Sequence, residues 1–275
     1  MNTPSENLSV ILCQTCGNDQ PEQNVAGIRG LLDNTDTAGT DLVVVPENAI
    51  YRGDFIVAGY DPPTLEQHLD TLGSVTRDIG ICTVWGSVQV TRENGIYNTA
   101  LVIGADGELV TTYEKIHLFQ LFTGTNSIDE TSRFAHGANP ATFTLNGWTI
   151  ALTICYDLRF PELYRVYAGA DLMLCPAEFT HMTGKAHWEI LLRARAIENQ
   201  CYVAGVNQCG MNEPMQVLAY GHSMMVAPWG EVLAAADEDE VCLRSELSHQ
   251  AITDARQRVP SLQSMQQAVT WSNSH

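Results

Sequence analysis

The chain is poor in positive charge, and above all in lysine. Its 275 residues include 14 lysines and arginines against 32 aspartates and glutamates, which gives a formal net charge of −18 at pH 7. A surface with this balance repels phosphate groups, so we expect neither a nucleic acid nor an anionic membrane as a partner. Only two lysines occur, Lys115 and Lys185. Because lysine is scarce even as surface filler, each of the two is a candidate for a specific role.

The sequence also lacks long apolar runs. No stretch approaches the roughly 18–20 uninterrupted apolar residues that a membrane span requires. Residues 1–6 are polar and show neither the basic nor the apolar segment of a signal peptide. We therefore expect no membrane span and a cytoplasmic location. Because no linker or internal repeat divides the chain, we also expect a single domain over residues 1–275, with a polar C-terminal tail at 260–275.

A metal-binding pattern is not evident either. His117, His187 and His222 are isolated among apolar residues and lack the spacing of known zinc motifs, so we expect no metal centre. Cys13-x-x-Cys16 could form a redox or metal pair, but neither a second CxxC nor a nearby histidine accompanies it. We interpret the eight cysteines mostly as buried thiols, as is usual in a cytosolic protein.

Strand-like runs alternate with helical patterns at both ends of the chain, and strands joined by turn dipeptides fill the middle. The predicted strands are Leu8–Gln14, Leu42–Val45, Cys82–Val90, Tyr97–Ile103, Leu109–Tyr113, Ala141–Leu145, Trp148–Ile154, Leu172–Cys175, Tyr202–Asn207, His222–Ala227 and Val232–Ala235. The predicted helices are Gln23–Asn34, Thr64–Ile79, Pro161–Ala168, Lys185–Gln200 and Ser248–Val259. The pattern predicts a mixed α/β fold with sheets flanked by helices.

Three chemically capable residues each follow a predicted strand. Cys155 lies at a strand-to-helix turn, where other hydrolases place their nucleophile and where helical N–H groups favour a thiolate. Glu47 follows the apolar run LVVVP, at the strand end where a carboxylate can act as a base. Lys115 follows a strand that ends at Tyr113, where an ammonium group can stabilise an oxyanion. A base, an oxyanion donor and a nucleophile are the components of covalent hydrolysis.

Each of these residues also has a simpler interpretation. Cys155 could be a buried structural thiol, Glu47 a capping or surface carboxylate, and Lys115 an ordinary solvated lysine. Their joint occurrence at strand ends is what favours the catalytic interpretation.

The same residues lie in blocks that resemble the nitrilase, or carbon–nitrogen hydrolase, superfamily. The blocks are PEN at 46–48, YEKIHLF at 113–119, CYDLRFPEL at 155–163, TGKAHWEILLRARAIENQCYV at 183–203 and GHSMMVAPWGEVLA at 221–234. They occur in the family's order and cover nearly the whole chain. The fourth block is most similar to the deaminated-glutathione amidase and omega-amidase branch.

The resemblance implies a four-layer α-β-β-α sandwich, a homodimer or higher homo-oligomer, and catalysis without metal or cofactor. It implies an amidase that converts a small amide to an acid and ammonia through a thioester on Cys155. Glu47 would be the general base, Lys115 the oxyanion-stabilising lysine, and the backbone N–H of Tyr156 the second oxyanion donor. A nitrilase or an N-carbamoyl amidohydrolase would use the same residues. A catalytically silent scaffold is the alternative outside the enzymes.

In the family, a second glutamate follows the lysine and orients it. Glu130 is the best match in this sequence. The segment Gln120–Arg133 lacks the Pro-Gly pair that is common before this glutamate, so Asp129 stays open as an alternative.

The resemblance also suggests residues that contact the substrate. Arg159 follows the nucleophile by four residues and could pair with a substrate carboxylate, or else form a structural pair with Glu162 or Asp157. Glu178 stands beside Phe179 at a position where the branch usually has a small residue near the pocket. The extra carboxylate could disfavour a second acid group on the substrate, or could simply be solvated.

Overall fold

Two β-sheets and the helices that cover them make up most of the protein, described for residues 4–122 and 127–264 of a computed structural model. In chain order, the strands are β1 (Asn7–Gln14), β2 (Leu42–Val45), β3 (Cys82–Arg92), β4 (Gly95–Ile103), β5 (Leu109–Glu114), β6 (Gln120–Phe122), β7 (Ser127–Asp129), β8 (Ala141–Leu145), β9 (Trp148–Leu152), β10 (Leu172–Ala177), β11 (Tyr202–Asn207), β12 (Met211–Asn212), β13 (Val217–Leu218), β14 (Met224–Val226), β15 (Val232–Ala235) and β16 (Val241–Ser248).

The helices lie between these strands. They are α1 (Pro21–Asp33), α2 (Phe55–Ala58), α3 (Leu65–His68), α4 (Ser74–Ile79), α5 (Pro161–Val166), α6 (His181–Asn199) and α7 (His249–Arg258). A π-helical turn at Leu69–Gly73 joins α3 to α4, so the helix predicted at Thr64–Ile79 continues through an irregular middle. No described helix is both long enough and apolar enough to cross a membrane.

Each large sheet has six strands, in the orders β16-β1-β2-β3-β4-β5 and β15-β14-β11-β10-β9-β8. The neighbours β1, β2 and β3 are parallel, as are β9, β10 and β11, whereas the outer strands pair antiparallel. Parallel strands are usually covered on both faces and read as continuous apolar runs, as LVVV in β2 does.

The alternation of side chains along β1 determines how the layers pack. Val10 and Leu12 lie in one core cluster with Leu174 of the second sheet, so the two sheets pack face to face. Ile11 points to the opposite face and packs with Ile28 of α1.

The outer face of the second sheet is covered in the same way by α5 and α6. Tyr164 of α5 and Trp188 and Leu192 of α6 are buried in the same core cluster as Leu174 of β10. The order of layers is therefore helix, sheet, sheet, helix, and the predicted α-β-β-α fold class is confirmed.

The ends of the parallel strands of both sheets meet at one edge of the sandwich. A parallel bridge between Thr15 and Gln208 links the end of β1 in the first sheet to the end of β11 in the second. Residues that directly follow β2, β9 and β10 are consequently brought close to one another. This edge is where the candidate site lies.

Several elements were not predicted from the sequence, among them the short helix α2 and the hairpin of β12 and β13. Strand β16 was not predicted, yet it pairs with β1 along its whole length. The short hairpin of β6 and β7 was not predicted either. The predicted tail at 260–275 lies outside the described residues from position 265 onward.

Candidate active site

Glu47, Lys115 and Cys155 come together because each follows the end of a strand. Glu47 follows β2 and Lys115 follows β5 in the first sheet, whereas Cys155 follows β9 in the second. All three side chains are buried at the junction of the two sheets. The structure thus groups the three residues that the sequence singled out.

Lys115 bridges two carboxylates. Its Nζ donates hydrogen bonds to Glu47 Oε1 and to Glu130 Oε2, each at 2.8 Å. Burial alone would lower the pKa of Lys115, but the charges of Glu130 and Glu47 outweigh burial and hold that pKa well above its ordinary value. Because an ammonium group has three N–H donors, one of them is left without an acceptor among the described residues.

The structure distinguishes between the two candidates for the second acidic residue. Glu130 Oε2 accepts from Lys115 and also from the backbone N–H of Phe119 at 2.8 Å. Burial raises the pKa of Glu130, and Lys115 opposes that rise. Asp129 instead accepts from the backbone N–H and hydroxyl of Thr131 at 2.9 and 2.7 Å. Glu130 is therefore the acidic residue that contacts the lysine.

The Glu47 carboxylate is held in place by donors from both sheets. Its Oε1 accepts from Asn98 Nδ2 of β4 at 2.9 Å, in addition to Lys115. Its Oε2 accepts from the backbone N–H of Glu178, after β10, at 2.8 Å. These contacts leave the carboxylate little freedom to rotate away from its neighbours.

Cys155 has an unusual backbone conformation. Its φ is +48°, in the left-handed region that non-glycine residues rarely occupy, and only 6% of the residue is exposed. Burial raises the pKa of the thiol well above its ordinary value, the charge of Glu47 raises it further, and Lys115 lowers it. Burial and the charge of Glu47 therefore outweigh the expected stabilisation of a thiolate at this position, which lies in a 3₁₀ stretch, Cys155–Arg159.

Asp157 anchors this turn from within. The side chain is buried; its Oδ2 accepts from the backbone N–H of Ile154 at 2.9 Å and from the hydroxyl of Tyr113 at 2.7 Å. Its Oδ1 accepts from the backbone N–H of His117 at 3.0 Å. Asp157 thus ties the nucleophile turn to the end of β5.

Tyr156 lies at the start of the 3₁₀ stretch, and its backbone N–H has no hydrogen-bond acceptor among the described residues, as is usual at a helix start.

Arg159 does not form the structural ion pair that the sequence left open as an alternative. No acidic group in the described ranges lies within ion-pair distance of its guanidinium, so neither Glu162 nor Asp157 is its partner. Its Nη1 lies 3.2 Å from His187 Nδ1, and the guanidinium lies 5.2 Å from the ring centre of Phe179.

Glu178 is not the solvated side chain that its sequence position allowed. Its Oε1 accepts from Arg52 Nε at 2.9 Å, and the two side chains are 11% and 0% exposed. Its remaining partners are Asn48 and Asn212, whose side-chain amides donate at 2.8 and 3.1 Å. The carboxylate is therefore built into the wall of the site.

Two cavities meet at Cys155. The larger, of about 60 Å³, is lined by Glu47 and Glu130, and the smaller, of about 10 Å³, by Arg159 and Phe179. Cys155 and Glu178 line both cavities. A bound molecule can therefore touch the nucleophile, the carboxylates and Arg159 at once.

Sequence reasoning missed Asn98, Asp157 and Arg52. The available signals were that Asn98 is a polar residue within a predicted strand and that Arg52 is one of few cations in the chain. The partner of each residue, however, is distant in sequence. Asp157 lies inside the recognised block CYDLRFPEL, yet nothing in that block indicates which backbone groups its carboxylate accepts from.

The CxxC cysteines are separated in the structure. Cys13 Sγ lies 3.1 Å from Cys242 Sγ, across the β1–β16 pair. Cys16 is exposed, and a hydrogen bond from the thiol of Cys209 lowers its pKa to about 6. Cys16 therefore departs from the buried thiols that we expected.

The three histidines also have separate partners. His117 Nδ1 lies 2.7 Å from Asp157 Oδ1, His222 Nδ1 lies 2.6 Å from the carbonyl oxygen of Tyr220, and His187 contacts Arg159.

Comparison with known proteins identifies the family of this chain. The carbon–nitrogen hydrolase family matches residues 10–257. The human omega-amidase NIT2 is 34% identical over 242 residues, which cover 86% of this chain and 87% of that protein. A CN-hydrolase superfamily structure from Xanthomonas campestris, with an arsenic adduct in its active site, superposes with a TM-score of 0.85 at 28% identity, covering 97% of this chain and 100% of that one.

A third relative is a variant of the amidase from Nesterenkonia sp. AN1, whose active-site cysteine carries the acetamide moiety of fluoroacetamide. It is 25% identical, covers 94% of this chain and 96% of that one, and has a TM-score of 0.75. The chain belongs to the carbon–nitrogen hydrolase family and is a hydrolase of carbon–nitrogen bonds.

Proposed function

We propose that the protein is an amidase that hydrolyses a small, carboxylate-bearing amide to an acid and ammonia through a thioester on Cys155. The observation that carries the proposal is the buried cluster in which Lys115 contacts Glu47, while Glu47 and the Cys155 thiol line the same cavity. The omega-amidase and amidase relatives favour an amide over the nitrile or N-carbamoyl alternatives. A silent scaffold is disfavoured, since a protein without catalysis has no need to keep these charges buried together.

In the first step, the Cys155 thiol gives its proton to Glu47 and its sulfur attacks the amide carbonyl carbon. Loss of the thiol proton to solvent would leave the cluster with an additional negative charge, since it already holds two carboxylates and one ammonium, whereas transfer of the proton to Glu47 leaves the net charge unchanged. The proton therefore moves to the carboxylate as the sulfur attacks. The oxyanion takes the third N–H of Lys115 and the backbone N–H of Tyr156.

The tetrahedral intermediate then collapses. The carbonyl re-forms, the C–N bond breaks, and Glu47 gives its proton to the nitrogen, which leaves as ammonia. A water molecule replaces the ammonia, Glu47 takes one of its protons, and the hydroxide attacks the thioester carbonyl. The sulfur leaves with the proton from Glu47, so one amide and one water yield one acid and one ammonia. Glu130 holds Lys115 in place throughout.

Ammonia release from a panel of compounds tests the reaction class. The panel contains α-ketoglutaramate, deaminated glutathione, N-carbamoyl amino acids, aliphatic amides and a nitrile, with product acids measured for the substrates that do not release ammonia. We expect the fastest turnover on an amide that bears a carboxylate. Turnover of the nitrile or of the carbamoyl compounds alone would replace the amidase by one of the alternatives.

Replacement of Arg159 by alanine should raise KM for acidic amides by about 10- to 100-fold, because a hydrogen bond to a charged group usually contributes a free energy of that size. The change in KM for neutral amides should be much smaller. The guanidinium lines the cavity at Cys155 and has no acidic partner within residues 4–122 and 127–264, so a substrate carboxylate is the group that it can pair with. Steady-state kinetics on both amide types measures the effect. Arg193→Ala is the control, because Arg193 pairs with Glu189 on the outer side of α6. Equal changes for both amide types would count against this role.

We also propose that the protein acts in the cytoplasm, as one domain, and as a homodimer or higher homo-oligomer. Large apolar side chains exposed on α6, Ile190 at 69% and Ile197 at 52%, support an oligomer, since such patches usually mark contact surfaces. Analytical ultracentrifugation should give at least twice the monomer mass of 30.2 kDa. A monomer at micromolar concentration would contradict the oligomer.

A further inference from the structure

Glu178 gives the site a further negative charge, which the proposed reaction does not use. The residue follows β10, and its side chain lines both cavities that meet at Cys155. Its backbone N–H already serves Glu47. The carboxylate itself has no part in the catalytic steps, so its presence in the wall calls for another role.

The hydrogen bonds of this carboxylate leave one acceptor position open. A carboxylate offers about four lone-pair positions. Oε1 accepts two hydrogen bonds, from Arg52 and Asn212, whereas Oε2 accepts one, from Asn48. The second position on Oε2 has no donor among the described residues. Because the side chain lines the cavity, a bound molecule can supply that donor.

The charge that balances Glu178 lies behind it. Arg52 is fully buried and is not part of either cavity wall. Its Nη1 and Nη2 donate to the backbone oxygens of Cys209 and Gly210 at 3.0 and 3.2 Å. The ion pair is thus oriented with its negative end toward the cavity and its positive end in the protein interior.

A positively charged side chain lies in the wall of the smaller cavity. Arg159 lines the smaller cavity together with Cys155 and Glu178. The space beside the nucleophile therefore presents one positive and one negative side chain to a substrate. A carboxylate on the substrate is attracted to the first and repelled by the second.

We propose that the acyl part of the substrate carries an ammonium group as well as a carboxylate, so that the preferred substrate is an α-amino acid with a side-chain amide. Its carboxylate pairs with Arg159 and its ammonium donates to Glu178 Oε2. A keto oxygen in the same place can only accept hydrogen bonds, so it would leave the open position on Glu178 unfilled. This inference rests on the proposed amidase function and adds to it the identity of the acyl group.

The test compares amides that differ only at the α-carbon. L-Glutamine carries an ammonium group there, α-ketoglutaramate a keto group and glutaramate only hydrogens; L-asparagine, α-ketosuccinamate and succinamate form the shorter series. At the chain length that reacts faster, we expect kcat/KM for the amino acid to exceed both analogues by about 10- to 100-fold, the worth of a hydrogen bond between charged groups.

Two variants then assign the preference to Glu178. Glu178→Gln should abolish the preference for the amino acid and change kcat/KM for glutaramate less. Because that variant leaves the buried Arg52 unpaired and could fail to fold, the double variant Arg52→Met, Glu178→Met removes both charges at similar volume. Glu162→Gln is the control, because it makes the same change of charge at an exposed position that lines neither cavity at Cys155.

The outcomes separate this inference from the proposed function. Wild-type protein that hydrolyses none of the six amides and no amide of the panel described above overturns the amidase assignment itself. Protein that hydrolyses another amide of that panel but none of the six overturns this inference alone. Protein that hydrolyses them but favours a keto or unsubstituted analogue overturns the inference and leaves the amidase intact. An amino-acid preference that persists in both folded Glu178 variants also overturns it. A preference that disappears in those variants and persists in Glu162→Gln supports it.

Discussion

Amide turnover should fall by roughly 10⁶-fold when Cys155 is replaced by alanine, the loss that removal of a covalent nucleophile typically causes. Alanine has no group that can form the thioester, so only the residual effects of binding and of the oxyanion donors would remain. The fold should persist, because the change removes one sulfur atom from the rim of a cavity and alanine tolerates the positive φ at this position about as well as cysteine does. Ammonia release measures the activity, and circular dichroism the fold.

A thiol-labelling experiment provides the control for this variant. Cys16 is exposed, and the hydrogen bond from Cys209 lowers its pKa to about 6, so a general alkylating reagent at neutral pH reacts there first. The comparison must therefore be made in a Cys16→Ser background, with and without Cys155→Ala, using a haloacetamide that resembles the substrate. We expect labelling and inactivation to proceed together only when Cys155 is present. Activity that survives in a folded Cys155→Ala variant would rule out the thioester mechanism.

Replacing Lys115 by methionine should reduce turnover by about 10²- to 10³-fold and destabilise the fold by about 3–5 kcal/mol. The first effect is the usual loss when one oxyanion donor is removed. The second arises because Glu47 and Glu130 would then be buried side by side without a cation, at 2% and 13% side-chain exposure. Kinetic assays and denaturant unfolding measure the two effects. Lys185→Met is a matched control, since Lys185 is the other lysine of the chain and is exposed; we expect a change within about 0.5 kcal/mol there.

The stability loss in Lys115→Met should depend on pH in a defined direction. Burial raises the pKa of Glu130 even beside Lys115, and the lysine is the largest influence that lowers it. Without the lysine, Glu130 keeps its proton in the folded protein at pH values where the unfolded chain has released it, since a glutamate there has its ordinary pKa of about 4.3. Stability therefore falls as pH rises, and the variant should lose more stability at pH 8 than at pH 5. Equal stability losses at pH 5 and pH 8, or a loss no larger than that of Lys185→Met, would contradict the buried contacts of Lys115 with Glu47 and Glu130.

The grouping of the three candidate catalytic residues could be predicted from the sequence because their signal is local. Glu47, Lys115 and Cys155 each lie within three residues of the end of a strand, and the fold then brings those strand ends together. The choice between Glu130 and Asp129 could not be made in this way. The two are neighbours in the chain, and only the unpredicted hairpin of β6 and β7 decides which of them reaches Lys115.

Contacts between distant segments could not be predicted. Strand β16 was missed because its apolar residues alternate with Arg244 and Glu246 at an exposed sheet edge, and that pattern is weak without the partner strand. The pair of Arg52 and Glu178 joins positions 126 residues apart. The local sequence around Arg52 and around Glu178 does not indicate that an opposite charge will pair with either residue.

This pair also bears on how the site can change over evolutionary time. A mutation of Arg52 alone leaves a buried carboxylate without its counter-charge, and a mutation of Glu178 alone leaves a buried guanidinium in the same state. Either single step costs more stability than a marginally stable protein can readily lose, although losing both together is tolerable. Descendants of this chain should therefore keep the two residues or exchange both, and the acyl preference that they set should be inherited with unusual persistence.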